Sequence, residues 1–386
     1  PCSPFTSTPG MSELRQRKKE SKAEEKSEGK EAKPAEGKGT EQTEIGTWIA
    51  WGILLVPMII LPAGACAYAY QNYGVNFFIP ESWQYLSHTP EYWQKEILAK
   101  KTVVMVGGPH RGGTTLLWEC LREHPDIANF GSQHQTASDL SEGIFLQDVY
   151  PNFGIGHEIA QSDWRRRRGG MGQFALGKEE WVHLLEDHRL VTEYNQARLL
   201  NRYGYFWNMS KPVLLEKSPP NAVISRFLQA LMNLNVPGGY QDGEGHSPVK
   251  FVFITRHPIA NAMSHKSWQQ CKYMPMSVLV ANWVAVNKYM VEDIPKLQFA
   301  KLIRLEDFQQ DPDAHLEELF KWIGLDVSKW SRGKSVIADT NAKYQREYCS
   351  WLKAKPNHRV EHEAIKEQFG EEIEKLGYDL ASYECT

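Results

Sequence analysis

The stretch from Thr102 to Leu121 restricts this 386-residue chain more than any other. It reads Thr-Val-Val-Met-Val-Gly-Gly-Pro-His-Arg-Gly-Gly-Thr-Thr-Leu-Leu-Trp-Glu-Cys-Leu. The β-branched, apolar run from Thr102 to Val106 predicts a buried parallel strand. A glycine-rich loop follows, Gly107 to Gly113. Leu116, Leu117, Cys120 and Leu121 then recur at helical spacing, so a helix is predicted to start near Thr114. Strand, glycine loop and helix N-terminus together aim backbone N–H groups at a phosphate. Gly108, Gly113 and Thr115 fall where G-x-x-x-x-G-K-[ST] has its glycines and hydroxyl, but Thr114 replaces the lysine. The cation inside the loop is Arg111. A nucleoside triphosphate with Mg²⁺ relies on the missing lysine, so the loop suits another phosphate ligand better. A glycine turn without a ligand and a phosphate-loop kinase are the competing readings.

Two further stretches carry the same chemistry. In Lys211-Pro-Val-Leu-Leu-Glu-Lys-Ser-Pro-Pro-Asn221 a strand ends at Glu216, Lys217 and Ser218, and two prolines stop it. Ligands of open parallel sheets sit beyond the carboxyl ends of the strands, so Lys217 reaches the glycine loop if the two strands are neighbours. In the stretch from Val249 to His265, Phe251–Thr255 predicts a strand, Arg256 stands at its end, and Pro258 suits a first helical turn. Arg256 and Ser264 offer a forked donor and a hydroxyl for a second phosphate. Taken alone, Lys217 is also readable as a solvated strand end and Arg256 as a structural ion-pair residue.

The rest of the chain sets the context. Residues 1–10 precede the first methionine, Met11, and are kept out of the fold reading. Residues 1–44 form a predicted disordered tail, because the Lys, Glu, Ala, Gly and Ser of Ser12–Glu44 bury too little to offset ordering entropy. Residues 45–70 carry no charge and are long enough to span a bilayer as a helix, with Trp48, Trp51, Tyr68 and Tyr70 as interfacial anchors. A buried hairpin or a cleaved signal peptide are the alternatives. Basic residues precede the span, and the first one after it is Lys95. The N-terminus is therefore expected in the cytosol and the bulk of the chain across the membrane. The sequon Asn208-Met209-Ser210 is compatible with that side. Residues 71–100 read as a stem leading into an amphipathic helix, and 101–386 as one domain.

Within 101–386 apolar strands alternate with helical patterns, with strand candidates Val103–Val106, Val213–Leu215, Phe251–Thr255 and Leu302–Leu305. The expected fold is α/β, a three-layer arrangement resembling the phosphate-loop fold around a central parallel sheet. The net charge of −3 argues against nucleic acid as a partner. The six cysteines include no C-x-x-C pair, so no zinc site is expected, and no metal-ligand cluster is evident. Cys120 reads as a core residue. Cys271, Cys349 and Cys385 are available for a disulfide in an oxidising compartment, but spacing does not pair them.

Together these motifs resemble the sulfotransferase superfamily, its membrane-type and bacterial members and the relatives of protein-tyrosine and carbohydrate sulfotransferases in particular. Pro109-His-Arg-Gly-Gly-Thr-Thr-Leu-Leu117 resembles that family's 5′-phosphosulfate loop, with Gly113 where many members have Ser. Arg-His-Pro-x-x-x-x-x-Ser, from Arg256 to Ser264, resembles its 3′-phosphate motif. His124-Pro125-Asp126, Glu216-Lys217-Ser218-Pro219 and Arg304-Leu-Glu-Asp-Phe with Asp311-Pro312 recur in the same order. The resemblance implies transfer of a sulfuryl group from 3′-phosphoadenosine-5′-phosphosulfate to a hydroxyl, leaving adenosine 3′,5′-bisphosphate, without a metal. Arg111, Gly112, Gly113, Thr114 and Thr115 would then hold the 5′-phosphosulfate, Arg256 and Ser264 the 3′-phosphate, and Lys217 would neutralise the leaving oxygen. Ser141-Glu-Gly-Ile-Phe-Leu-Gln147 matches a family segment with Ser for Asp. Glu142 is the first candidate for the base, and His134 the second; helix capping is the plainer role for Glu142. Asn341-Ala-Lys-Tyr344 resembles a late loop that closes over the cofactor, which makes Lys343 a candidate contact. Arg165–Arg168 offers a grip on an anionic acceptor or is a solvated face. The expected acceptor is a glycan and the expected location the Golgi lumen, in a single-pass type II arrangement. A tyrosine or small-molecule acceptor, and a non-catalytic anchored subunit keeping the fold, are the alternatives.

Overall fold

Alternation along the central strands places helices on both faces of the sheet. In the computed structural model, which describes residues 86–131, 142–151, 170–239, 246–331, 340–383 and 385, strand β1 spans Thr102–Gly107. Val103 and Met105 point into one apolar cluster, and Val104 and Val106 into another. β3 (Val213–Lys217) and β4 (Val249–Thr255) flank β1 in parallel, with Val106 opposite Lys217 and Gly107 opposite Phe253. β2 (Ile127–Asn129) and β5 (Ala300–Arg304) complete a five-stranded parallel sheet in the order β2-β3-β1-β4-β5. The chain leaves β1 for one side of the sheet, then returns to the other with β4. The switch beside β1 opens a crevice at the carboxyl ends of the strands.

One cluster joins Leu214, Phe251 and Phe253 to Leu199, Leu200, Phe227 and Leu228 of α3 (Glu193–Phe206) and α4 (Ser225–Asn233). The other joins Leu215, Val252 and Ile254 to Leu117 and Leu121 of α2 (Thr114–Leu121) and Leu319 and Phe320 of α8 (Pro312–Ile323). A third cluster lies among α5 (Pro258–Lys266), α6 (Met276–Asp293), α9 (Thr340–Ala354) and α10 (Pro356–Lys375). It packs Trp283 against Ile259, Tyr348 and Ile373. The α/β parallel-sheet expectation holds.

Several boundaries differ from the sequence reading. The packed unit includes residues before Lys101: α1 (Pro90–Tyr92) continues as a π-helical stretch, Trp93–Leu98, whose Trp93, Ile97 and Leu98 enter the first cluster. Burying each such side chain contributes about 1.5–3 kcal/mol, so the amphipathic helix expected at the end of 71–100 is packed into the domain. β2 was absent from the expected strands because three residues are too short for a periodic signal. The last strand ends at Arg304, and Leu305, expected within it, opens α7 (Leu305–Gln310) and is buried there. Cys120 is buried as expected, and Cys349 pairs with Cys385 while Cys271 stays free. The tail 1–44, the span 45–70, stem residues 71–85, His134 and Arg165–Arg168 lie outside the described residues. Among the described residues no helix is long and apolar enough to cross a membrane.

Candidate functional site

The site grows from the turn between β1 and α2. Gly108 has φ 153°, and a side-chain carbon there would lie 2.1 Å from the Ile254 carbonyl of β4, so only glycine lets the loop lie this close to the sheet. Gly112 donates its N–H to the Pro109 carbonyl at 2.8 Å, closing the turn. Gly113 sits at the helix N-cap with φ 111°, and the buried Thr114 and half-buried Thr115 form the first turn of α2. First-turn N–H groups have no intrahelical acceptor, which leaves the helix start open to an anion. Arg111 itself is left-handed, φ 63°, a conformation costing a non-glycine residue about 1 kcal/mol or more.

β3 delivers Lys217 to this loop, as its pairing with Val106 requires. The ammonium is fully buried and donates to Glu142 Oε1 at 2.8 Å. It also lies 5.7 Å from the centre of the Trp118 ring on α2. Glu142 precedes a short 3₁₀ turn, Gly143–Phe145, without capping it through its side chain. The first candidate base and the candidate leaving-group cation therefore form one buried ion pair. Removing one partner of such a buried pair costs more stability than replacing both.

β4 delivers Arg256. Its Nε and Nη2 donate to Asn341 Oδ1 at 2.9 and 2.5 Å, and Nη1 donates to the Arg111 carbonyl at 3.4 Å. Arg111 Nε donates to Ser264 Oγ at 2.9 Å, and Ser264 Oγ donates to the Tyr344 hydroxyl at 3.2 Å. Arg111, Arg256 and Ser264, far apart in sequence, thus make one cluster. The Tyr344 ring lies 4.8 Å from Arg256 Cζ, and the Trp268 ring 4.8 Å from Arg111 Cζ. Burial, opposed by Tyr344, Tyr383 and Glu306 and reinforced by Arg111, holds the Arg256 guanidinium below its ordinary range. An anion between the two guanidiniums would relieve this crowding, so the donor set fits a phosphate group.

Lys343 meets the cluster only at its edge, its Nζ 5.4 Å from the centre of the Tyr344 ring. Residues 341–344 form the first turn of α9 and not a loop, so Asn341 and Tyr344 face Arg256 while Lys343 points outward, its Nζ 3.8 Å from Glu347. Asn341 is itself held by Glu306 Oε1, which accepts from Asn341 Nδ2 at 2.5 Å and from the His257 N–H at 2.9 Å. The Arg304-Leu-Glu-Asp-Phe motif thus acts through Glu306. His134 and Arg165–Arg168 lie outside the described residues, so only Glu142 of the two base candidates is placed.

The structure brings in residues to which the sequence reading gave no individual role. Burial pushes Glu216 up to about 7, against hydrogen bonds from Ser218, Asn221 and Gly143 and the charge of Lys217. His110 and His265 flank the Trp268 ring. Burial, with His265, Lys217 and Arg111 nearby, lowers His110 to about 3. Burial likewise lowers His265 to about 4, against its bond to the Asn261 carbonyl and with Arg111 and Arg256 nearby. Both rings are neutral at physiological pH. The spacing of His265 and Trp268 along the chain gave no signal, since they meet the loop only after α5 folds back onto it.

The model of the sulfotransferase family matches residues 103–329, which take in β1 with its loop, β3, β4 and β5. The chain belongs to the sulfotransferase family. No curated protein sequence matches it. Among solved structures, this sulfotransferase is similar to the sulfotransferase domain of the Synechococcus PCC 7002 olefin synthase, at 16% identity over 72% of this chain and 95% of that one, with a TM-score of 0.37. It is also similar to a sulfotransferase from Alicyclobacillus acidocaldarius, at 15% identity over 73% and 98% with a TM-score of 0.35. A third, from Mycobacterium avium, shares 14% identity over 74% and 79% with a TM-score of 0.35. At these scores the structures carry no argument about the site, which stands on the geometry and the family match.

Proposed function

We propose that this sulfotransferase moves the sulfuryl group of 3′-phosphoadenosine-5′-phosphosulfate to a hydroxyl, with a glycan as acceptor. The observation that carries this is the convergence of three anion-binding elements at the carboxyl edge of β1, β3 and β4: the glycine loop, Lys217, and Arg256 with Ser264. When bound, the nucleotide supplies the transferred group and a leaving oxygen. The N-terminus of α2, with Arg111, Gly112, Gly113, Thr114 and Thr115, binds its 5′ side. Arg256 and Ser264, held by Asn341 and Tyr344, bind the 3′-phosphate. Lys217 Nζ stabilises negative charge at the leaving oxygen. Glu142, at Oε1 or Oε2, accepts the proton of the acceptor hydroxyl, and its ion pair with Lys217 holds acid and base side by side.

The glycan reading and the location belong together. An uncharged segment at 45–70 with basic residues before it supports a type II anchor and a catalytic domain in the Golgi lumen, where glycan hydroxyls are the abundant acceptors. The Cys349–Cys385 bridge supports an oxidising compartment. The test is to purify the full chain in detergent and supply labelled 3′-phosphoadenosine-5′-phosphosulfate. Desulfated glycosaminoglycan, a tyrosine-containing acidic peptide and a hydroxysteroid serve as parallel acceptors. Label in the glycan supports the reading, label in another acceptor moves the acceptor class, and neither label nor binding of adenosine 3′,5′-bisphosphate overturns it.

A further inference from the structure

Glu216 takes no part in the chemistry above, yet its side chain is bonded to the catalytic segment. Its Oε1 accepts the Gly143 N–H at 3.0 Å and the Ser218 hydroxyl at 2.5 Å, and its Oε2 accepts from Asn221 Nδ2. Ser218 Oγ in turn accepts the Ile144 N–H at 3.0 Å. Lys217, between them, holds the Glu142 carboxylate. Three consecutive residues at the end of β3, Glu216, Lys217 and Ser218, therefore hold three consecutive residues, Glu142, Gly143 and Ile144. Side chains alternate along a strand, so Glu216 and Lys217 leave β3 on opposite faces and grip the crossing segment from both.

The fit is tight at one point. A side-chain carbon on Gly143 would lie 2.6 Å from Glu216 Oε1, 2.8 Å from its Cγ and 2.9 Å from the Phe130 ring. Glycine here serves the approach of a carboxylate, not an unusual backbone angle. Asn221 completes the arrangement: its Nδ2 also donates at 3.0 Å to the carbonyl of Val106, the penultimate residue of β1 before the glycine loop. Glu216 is thus linked on one side to the base segment and on the other to the strand that leads into the phosphate loop.

We infer that Glu216 is a positioning residue, whose carboxylate, through Gly143 and with Ser218, sets where the Glu142 carboxylate stands relative to Lys217 and the glycine loop. The inference rests on the assignment of Glu142 as base. Base and acceptor must be aligned to within about 1 Å, and a displacement of that size lowers turnover by about 100-fold. Nucleotide binding, carried by α2, Arg256 and Ser264, does not depend on Glu216.

The test compares Glu216→Gln, Glu216→Met, Ser218→Ala and Gly143→Ala in the full chain, with labelled sulfuryl transfer to whichever of the three acceptors the wild type uses, and with calorimetric binding of adenosine 3′,5′-bisphosphate. Glutamine keeps an acceptor oxygen for Gly143 and Ser218 but sets an NH2 against Asn221 Nδ2, so its kcat falls by no more than about tenfold, whereas methionine keeps the volume without the acceptor and drops kcat about 100-fold. Ser218→Ala, which strands the Ile144 N–H alone, falls between them. Gly143→Ala gives the methionine result with Glu216 intact, and it decides the matter if Glu216→Met does not fold. In every folded variant the nucleotide Kd and KM stay within about twofold of wild type, because the anion-binding elements are untouched. Wild-type kcat in Glu216→Met or Gly143→Ala overturns the inference, as does a parallel loss of kcat and nucleotide affinity. Glu142→Ala is the separate control: if it leaves transfer unchanged, the base assignment fails, independently of Glu216.

Discussion

Lys217 Nζ donates to Glu142 Oε1 at 2.8 Å with both side chains buried, so the cation proposed for the leaving oxygen and the carboxylate proposed as base are held as one unit. Lys217→Met is expected to lower kcat about 100–1,000-fold, as the loss of one preorganised charge at a transition state does. It also takes one buried cation away from Glu142, a loss of up to about 3–5 kcal/mol in unfolding free energy. The double variant Lys217→Met, Glu142→Gln recovers most of that stability and none of the activity. Urea denaturation and labelled transfer, measured on the same preparations, separate the two effects.

Arg256→Lys keeps the charge and loses the fork. Nε and Nη2 both reach Asn341 Oδ1, a geometry that a lysine ammonium does not reproduce. Affinity for adenosine 3′,5′-bisphosphate should fall about 10–100-fold, consistent with losing one charge-assisted hydrogen bond of about 1.5–3 kcal/mol, and calorimetry reads it directly. Lys343→Ala, by contrast, should leave binding near wild type, since Lys343 faces solvent beside Glu347.

The Cys349–Cys385 bridge closes a loop of sequence separation 36. It ties the C-terminus to the helix that carries Asn341 and Tyr344. Beside it, the Tyr383 ring stacks on His257 with centroids 4.0 Å apart. Cys385→Ser should lower stability by about 2–5 kcal/mol, and reductant should do the same to wild type but not to the variant. Thermal unfolding with and without reductant checks both.

Stability should rise with pH between about 4.5 and 6.5. Burial lowers His110 to about 3 and His257 and His265 to about 4, so between those values and the ordinary histidine value the unfolded chain holds three protons that the folded one does not. Glu216, raised to about 7, works the other way: the folded state binds its proton from about 4.5 up to about 7, a stabilisation lost as pH rises through that window. Three protons outweigh one, each worth about 1.4 kcal/mol per pH unit, so the urea midpoint should fall as pH drops from 6.5 to 4.5. Replacing His265 by Gln should flatten the slope.

Asn208 is exposed in a turn, and Ser210 donates to its Oδ1 at 2.7 Å through Oγ. If the domain lies in the lumen, Asn208 is expected to carry an N-linked glycan, and endoglycosidase should shift the full chain on a gel. Asn208→Gln should remove the shift. An unmodified Asn208 in a secretory-pathway host would count against the lumenal placement.

Much of this protein was legible locally. A β-branched run, a glycine loop and a helical pattern in one stretch specify strand, turn and helix by short-range sterics, and the same logic put Lys217 and Arg256 at strand ends. That placement is why the α/β sheet is legible in the sequence, and why the three candidate anion-binding motifs fall at strand ends. The register of β1 against β3 then seated Lys217 beside the loop. What no local pattern carried was who touches whom across the chain. Arg111 meets Ser264 across 153 residues, Arg256 meets Asn341 across 85, and Gly143 meets Glu216 across 73. The last contact gives Glu216 a role that its place in a strand does not suggest. The pairing of Cys349 with Cys385, the outward turn of Lys343 and the three-residue β2 belong to the same class. Each depends on how helices pack over the carboxyl edge of the sheet, and packing is set by the summed shape of many side chains, which a stretch of sequence does not encode by itself.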